Sequence, residues 1–246
     1  YSPANSTYGT STVALDYSAS NTVAIDSCWY YLDGAGPTAL PGCANDSLAG
    51  LLDGGHNVTV YANDTVGNTG SVTRVFTVDT TAPVVNILFP GNATYYTPGT
   101  LDLALNYTVD GGSCWYSLNG GAAVPLPGCA NSTLANLTWG PYNVTVYSND
   151  SLGNVGSDVE YFTVGVVYSI ELISPDNVTY SMNTVPLEYN AGPPSLLSNC
   201  SYSLDGGTQV MLLGCINSTL SGLSNGPHNI SVIANYTTGT YTGTTK

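Results

Sequence analysis

Basic residues are almost missing from this chain: two Lys plus Arg stand against 16 Asp plus Glu, for a formal charge of −14. So few cations leave almost nothing to neutralise phosphates, which argues against nucleic acid or an anionic membrane as partner. Charge of either sign is scarce, at 7% of residues. No apolar run approaches the ~18 residues of a spanning helix, so this segment is expected not to insert into a membrane. No stretch carries a helical hydrophobic period. Asp-x-Asp-x-Asp does not occur, and Asp79 and Asp158 are isolated in sequence. Ca²⁺ between repeats therefore has only weak support.

What is present is apolar residues at 43% and abundant β-branched side chains, enough to bury a core. Polarity comes from Asn, Ser, Thr and Gly. Fifteen sites read Asn-x-Ser/Thr without Pro. Fourteen are expected to accept N-linked glycans: Asn5, Asn45, Asn57, Asn63, Asn92, Asn106, Asn131, Asn136, Asn143, Asn149, Asn177, Asn217, Asn229 and Asn235. The fifteenth, Asn199, directly precedes Cys200, where a disulfide hinders modification. Sequons arise incidentally in Asn-rich strands and turns. In a chain this poor in Lys, their number suggests that sugars supply the solubility charge supplies elsewhere.

The cysteines settle the organisation. Cys28 and Cys43, Cys114 and Cys129, and Cys200 and Cys215 are each 15 apart, and successive pairs are offset by 86. Around them the chain reads CWYYLDGAGPTALPGC, CWYSLNGGAAVPLPGC and CSYSLDGGTQVMLLGC, continuing to NVTVYAND, NVTVYSND and NISVIANY. These are three copies of one unit. The aligned starts Pro3-Ala-Asn5, Pro90-Gly-Asn92 and Pro175-Asp-Asn177 place domains at 1–83, 84–167 and 168–246. Asp79-Thr-Thr-Ala-Pro83 is a short, Pro-ended joint suited to a stiff connection. Equal spacing favours three bonds within repeats, each closing a hairpin, and thus an oxidising compartment. A metal site would need four clustered ligands, which two Cys and one His per repeat do not supply. No metal and no cofactor are expected.

Within repeats the hydrophobic period is two. Leu101, Leu103, Leu105 and Tyr107 alternate with polar or small residues, as do Tyr142, Val144 and Val146. Asp33-Gly34, Asn119-Gly120 and Asp205-Gly206 mark tight hairpins at one repeat position. Strands are predicted in the second repeat near 84–89, 101–109, 113–119, 122–127, 132–138, 141–149 and 157–164. The fold class is therefore all-β: three tandem seven-stranded Ig-like β-sandwich domains.

Residues 57–85, NVTVYANDTVGNTGSVTRVFTVDTTAPVV, resemble the last strands and linker of the Ig-like repeats of prokaryotic, especially archaeal, surface proteins. The resemblance implies architecture and an extracellular, cell-surface location. It carries over no catalytic residue, since such repeats serve adhesins, stalks, filaments and coats alike. His56 and His228 share one slot, filled in the middle repeat by Tyr142, and read as structural. Trp29 and Trp115 follow the first Cys of their repeats and are replaced by Ser201 in the third. They read as half-exposed residues packing on a neighbouring strand, a glycan or another subunit, with sugar binding as the alternative.

Repeat one lacks the first-strand sequence found at 84–89, and repeat three lacks a counterpart of Val75–Val78. Both are expected to seek a neighbour: further repeats of the same chain or copies of it, end to end. The function expected is a non-enzymatic structural glycoprotein of a surface filament, coat or stalk. An adhesin, or the accessory domains of a secreted enzyme, are the alternatives.

Overall fold

In a computed structural model the chain forms strands joined by turns and short 3₁₀ segments, with no α-helix among the described residues, 1–239 and 241–246. The first repeat runs β1 (Thr7–Tyr8), β2 (Val13–Leu15), β3 (Ile25–Leu32), β4 (Thr38–Ala39), β5 (Asp46–Leu48), β6 (Gly54–Asp64) and β7 (Thr69–Val78). The second contributes β8 (Val85–Phe89), β9 (Thr94–Thr97), β10 (Leu101–Val109), β11 (Ser113–Leu118), β12 (Val124–Leu126), β13 (Ser132–Leu137), β14 (Gly140–Asn149) and β15 (Val155–Val166). The third contributes β16 (Ser169–Ser174), β17 (Thr184–Gly192), β18 (Leu197–Leu204), β19 (Val210–Leu212), β20 (Ser218–Ser221), β21 (Ile230–Tyr236) and β22 (Tyr241–Thr245).

The sheets recur in one plan. A larger sheet is ordered β1-β7-β6-β3-β4, then β12-β11-β14-β15-β9, then β19-β18-β21-β22. A smaller one is ordered β2-β5, then β13-β10-β8, then β16-β17-β20. In the first repeat Val13, Leu15 and Leu48 of the small sheet and Tyr30, Val58, Val60, Phe76 and Val78 of the large one form a single core. In the third, Leu172, Leu187, Tyr189 and Leu220 meet Cys200, Leu212, Ile230, Val232 and Ala234 in the same way. Alternation is the cause, because every second side chain of a strand points to one face. Leu105 and Leu187 are fully buried, and each such side chain contributes roughly 1.5–3 kcal/mol.

The predicted hairpin dipeptides do turn left-handed: Asp33 and Gly34 have φ of 50° and 73°, with matching values at 119–120 and 205–206. Those torsions give the primed turn whose twist matches two antiparallel strands.

By compactness the chain divides into two units, 1–89 with 106–132 and 144–160, and 90–105 with 133–143 and 161–246. The predicted strand at 122–127 shortens to β12 because Pro127-Gly128-Cys129 turns as a 3₁₀ segment. A strand unforeseen in the sequence, β9, pairs in parallel with β15, Thr94 opposite Thr163. The middle repeat thus has eight strands, not seven. Its first strand ends at Pro90, which lacks a ladder N–H, and the chain resumes as β9 against a different sheet. Thr7 opposite Thr77 repeats this parallel contact in the first repeat.

Candidate functional site

The half-hairpin from the first Cys to the end of the following long strand holds most of the unusual chemistry. Cys28–Cys43, Cys114–Cys129 and Cys200–Cys215 are bonded, with Cα separations of 5.1, 5.2 and 5.0 Å. In each pair the first Cys is buried within a strand, and the second sits at positive φ, 52–54°, after a glycine also at positive φ. Cys43 N–H donates to Leu40 O at 2.9 Å, tightening that turn. A left-handed non-glycine residue is disfavoured by roughly 1–2 kcal/mol, and here the bridge and the turn hydrogen bond hold it.

The histidines lie at the opposite end of this unit. His56 stacks on Phe76 with ring centroids 5.4 Å apart. Its Nδ1 is 2.7 Å from Asp33 Oδ2 and its Nε2 is 2.7 Å from the Leu52 carbonyl. Asp33 Oδ1 accepts the Asn57 N–H at 2.8 Å. His228 repeats the arrangement with Asp205 and the Ser224 carbonyl. Both ring nitrogens face acceptors, which suits the doubly protonated imidazolium. The Leu52 carbonyl, and then Asp33, push the His56 pKa up. For His228 the order is Asp205, then the Ser224 carbonyl. Burial alone would raise the Asp33 pKa, but the Asn57 N–H and His56 bring it below the usual range. In the middle repeat Tyr142 stacks on Phe162 at 5.4 Å, and its hydroxyl donates to the Thr138 carbonyl at 3.0 Å. One ring with one donor thus occupies the same slot. The clamp ties the tight turn to the start of β6.

Nine of the fifteen sequon asparagines are exposed: Asn5, Asn45, Asn57, Asn92, Asn131, Asn136, Asn177, Asn217 and Asn229. Asn63, Asn106, Asn143, Asn149, Asn199 and Asn235 are half-buried. Asn45, Asn131 and Asn217 have a structural duty that their sequence position did not reveal. Each Oδ1 accepts the backbone N–H of a tyrosine, at 3.1–3.2 Å: Tyr17 just beyond β2, Tyr107 in β10 or Tyr189 in β17. At Tyr107 the ladder to β8 shifts register, and the amide oxygen replaces the missing ladder acceptor. Asn63 and Asn235 are likewise engaged: Asn63 Oδ1 accepts the Ser27 N–H at 3.0 Å, and Asn235 Nδ2 donates to Asn199 Oδ1 at 2.8 Å.

The tryptophans stand half-exposed on the outward face of the large sheet. Trp29 stacks on Tyr61 of β6 at 5.5 Å and 3°, and Tyr31 meets Tyr61 edge-on at 5.5 Å. Trp115 stacks on Tyr147 at 5.5 Å and 6°. Trp29, Tyr31 and Tyr61 share a shallow depression with Asn57 and Thr59. Trp139, which the alternation did not single out, donates from Nε1 to the Thr97 carbonyl at 3.3 Å. Asp158 is not a loose ligand, for its Oδ2 accepts the Ile87 N–H at 2.8 Å. Among the described residues no three His, Cys, Asp or Glu side chains gather as a metal would need.

The sheets and clamps define a class: a run of fibronectin III- and Ig-like β-sandwich units stapled by local disulfides. No protein-family model matches the chain. Halomucin of Haloquadratum walsbyi is 37% identical over 93 residues, a stretch covering 35% of this chain and 1% of halomucin. The chain therefore spans only a small fraction of that relative's length. Fibronectin(III)-like modules of CbhA from Clostridium thermocellum match 67% of this chain and 92% of their own, at 14% identity and TM-score 0.35. A Ca²⁺-stabilised adhesin with which an Antarctic bacterium binds ice matches 96% of this chain and 68% of its own, at 19% identity and TM-score 0.39.

Proposed function

We propose that this chain is a structural extracellular glycoprotein, three consecutive sandwich domains at 1–83, 84–167 and 168–246 of an archaeal surface filament, coat or stalk. It assembles end to end with further repeats or with copies of itself, and its exposed sequons carry N-linked glycans. The observation that carries this reading is the tied joint between the first two repeats. Asp53 accepts hydrogen bonds from Thr80 and Thr81, Asn154 Nδ2 donates to the Asp79 carbonyl at 2.9 Å, and Val84 N–H donates to Asp110 Oδ1 at 2.6 Å. Gly156 and Gly111 lie so close to Pro83 that a β-carbon on either would collide with it. A β-carbon on Gly9 would lie 3.0 Å from Leu152, a tight contact. A linker held at this many points transmits orientation from repeat to repeat, as a rod requires. The halomucin similarity and the disulfides support a location outside the cell. The two His–Asp pairs serve equivalent turns, which supports a non-enzymatic role.

Electron microscopy and sedimentation of the purified chain over a concentration series, with intact mass, test this reading. Concentration-dependent linear particles and a mass above 25.4 kDa by sugar increments are expected. A monomer at every concentration would sink assembly with copies of itself, and an unmodified mass would sink the glycan reading.

A second reading, an adhesin, is favoured by the Trp29–Tyr61 stack on an outward face. It expects saturable binding to immobilised glycans, abolished in Trp29→Ala.

A further inference from the structure

We infer that the outward aromatic face of the first repeat is the seat of the chain's own sugar, with the N-glycan on Asn57 lying back along the sheet over Tyr31, Tyr61 and Trp29. This rests on the reading of the exposed sequons as glycosylated, and adds to it where one glycan goes. Asn57, Thr59 and Tyr61 alternate along β6 and share a face. Across the ladder, Thr59 is opposite Tyr31 and Tyr61 is opposite Trp29. Tyr31 is then the diagonal neighbour of Asn57, at roughly 7–8 Å in such a ladder, within reach of a sugar linked to the Asn57 amide. The next sugars meet Tyr61 and Trp29. Asn57 is exposed, and the sequon's own Thr59 lines the same depression as the three rings.

Nothing bulky on the other flank blocks the path. Val75, Thr73 and Ser71 of β7 lie opposite Asn57, Thr59 and Tyr61. Val75 is 52% exposed beside Asn57, adding apolar surface next to the attachment point. The chemistry is complementary: one face of a pyranose presents C–H bonds, and an aromatic face presents negative potential to them. Ordering the glycan in this way covers apolar ring surface left in water on this outward face.

The sister repeats supply a graded series. At the positions of Trp29, Tyr31 and Tyr61 the second repeat has Trp115, Ser117 and Tyr147, and the third has Ser201, Ser203 and Ile233. The sequon persists in all three, as Asn57, Asn143 and Asn229. The third repeat therefore serves as an internal control with the sugar acceptor but no aromatic seat.

The test is to secrete the chain from a host that N-glycosylates Asn-x-Ser/Thr, with ¹³C-labelled sugars. Glycopeptide mass spectrometry reads occupancy, and NMR reads the sugar protons. Asn57 is expected to be occupied, with its inner sugars shifted upfield by the rings and slower in motion than those on Asn229. Trp29→Ser, Tyr31→Ser and Tyr61→Ile together copy the third repeat, whose backbone tolerates them, and should abolish both the shift and the restriction. An unmodified Asn57 overturns this inference and the glycan reading at that site. An occupied Asn57 whose sugars move as freely as those of the triple variant overturns the inference alone.

Discussion

His56 Nδ1 lies 2.7 Å from Asp33 Oδ2, and the same geometry, to the same distance, joins His228 to Asp205. The two members change together along the chain: where Tyr142 replaces histidine, Asn119 replaces aspartate. A carboxylate at the turn is useful when the facing ring is a cation, and an amide serves when it is a phenol. The charge–charge attraction available to the first and third repeats is thereby lost from the middle one.

A pH dependence follows. The His56 pKa is raised above its ordinary 6.5, so its contribution is fully present below that value and is lost as pH rises through the folded pKa. The Asp33 pKa is lowered below 3.8, so its contribution is present above that value and is lost as pH falls through the folded pKa. The first repeat should therefore gain stability on going from pH 8 to about pH 5, and lose it again toward strong acid. Denaturant unfolding of the chain across this range, followed by the amide NMR signals of β3 and β6, checks it. Copying the middle repeat with His56→Tyr and Asp33→Asn should flatten the dependence.

Removing one disulfide, as Cys28→Ser with Cys43→Ser, should cost about 3 kcal/mol for a loop of this length. Peptide mapping of the native protein under non-reducing conditions should return the three local pairs. Links between different repeats would refute the arrangement.

Asn131 offers a way to separate folding from glycosylation. Asn131→Ala leaves the part-buried Tyr107 N–H without its acceptor, a loss of about 1–3 kcal/mol. Asn131→Asp keeps an oxygen in place while deleting the sequon, and should be much milder. Equal losses in unglycosylated material would show that the hydrogen bond is unimportant.

Two tyrosines at one repeat position should respond differently to loss of the hydroxyl. Tyr107 donates to the Ala130 carbonyl at 3.2 Å, whereas the Tyr189 hydroxyl is buried with no hydrogen-bond partner among the described residues. Tyr107→Phe is expected to cost about 0.5–1.5 kcal/mol, and Tyr189→Phe to be neutral or stabilising. Thermal unfolding of the two variants side by side decides the matter.

The joint is tested by Gly156→Ala. Its β-carbon collides with the Pro83 carbonyl oxygen, so the linker must move. Residual dipolar couplings should then report looser alignment of residues 1–83 against Val155–Glu160 while each keeps its own strands. Unchanged couplings would mean that the contact does not hold the linker.

Much of this was legible in the residues themselves. A period of two, an Asp-Gly or Asn-Gly at each turn and cysteines spaced by 15 are local signals, and local geometry answers to them directly. β9 was not legible, because its four residues, Thr94–Thr97, earn strand conformation only from the parallel partner β15. The duty of Asn45, Asn131 and Asn217 was hidden for a related reason. A sequon is read along the chain, whereas the tyrosine N–H it satisfies lies 24 to 28 residues away.

The amino-acid order alone determined the β class and the threefold repetition and favoured the local sulfur pairing, since each depends on spacings that survive in an extended chain. Only the tertiary structure decided that aspartate meets histidine across a turn, that Asn57 shares its face with three aromatic rings, and that Pro83 is wedged between glycines. These are meetings of distant segments, and register and packing, which no spacing along one strand specifies, bring them about.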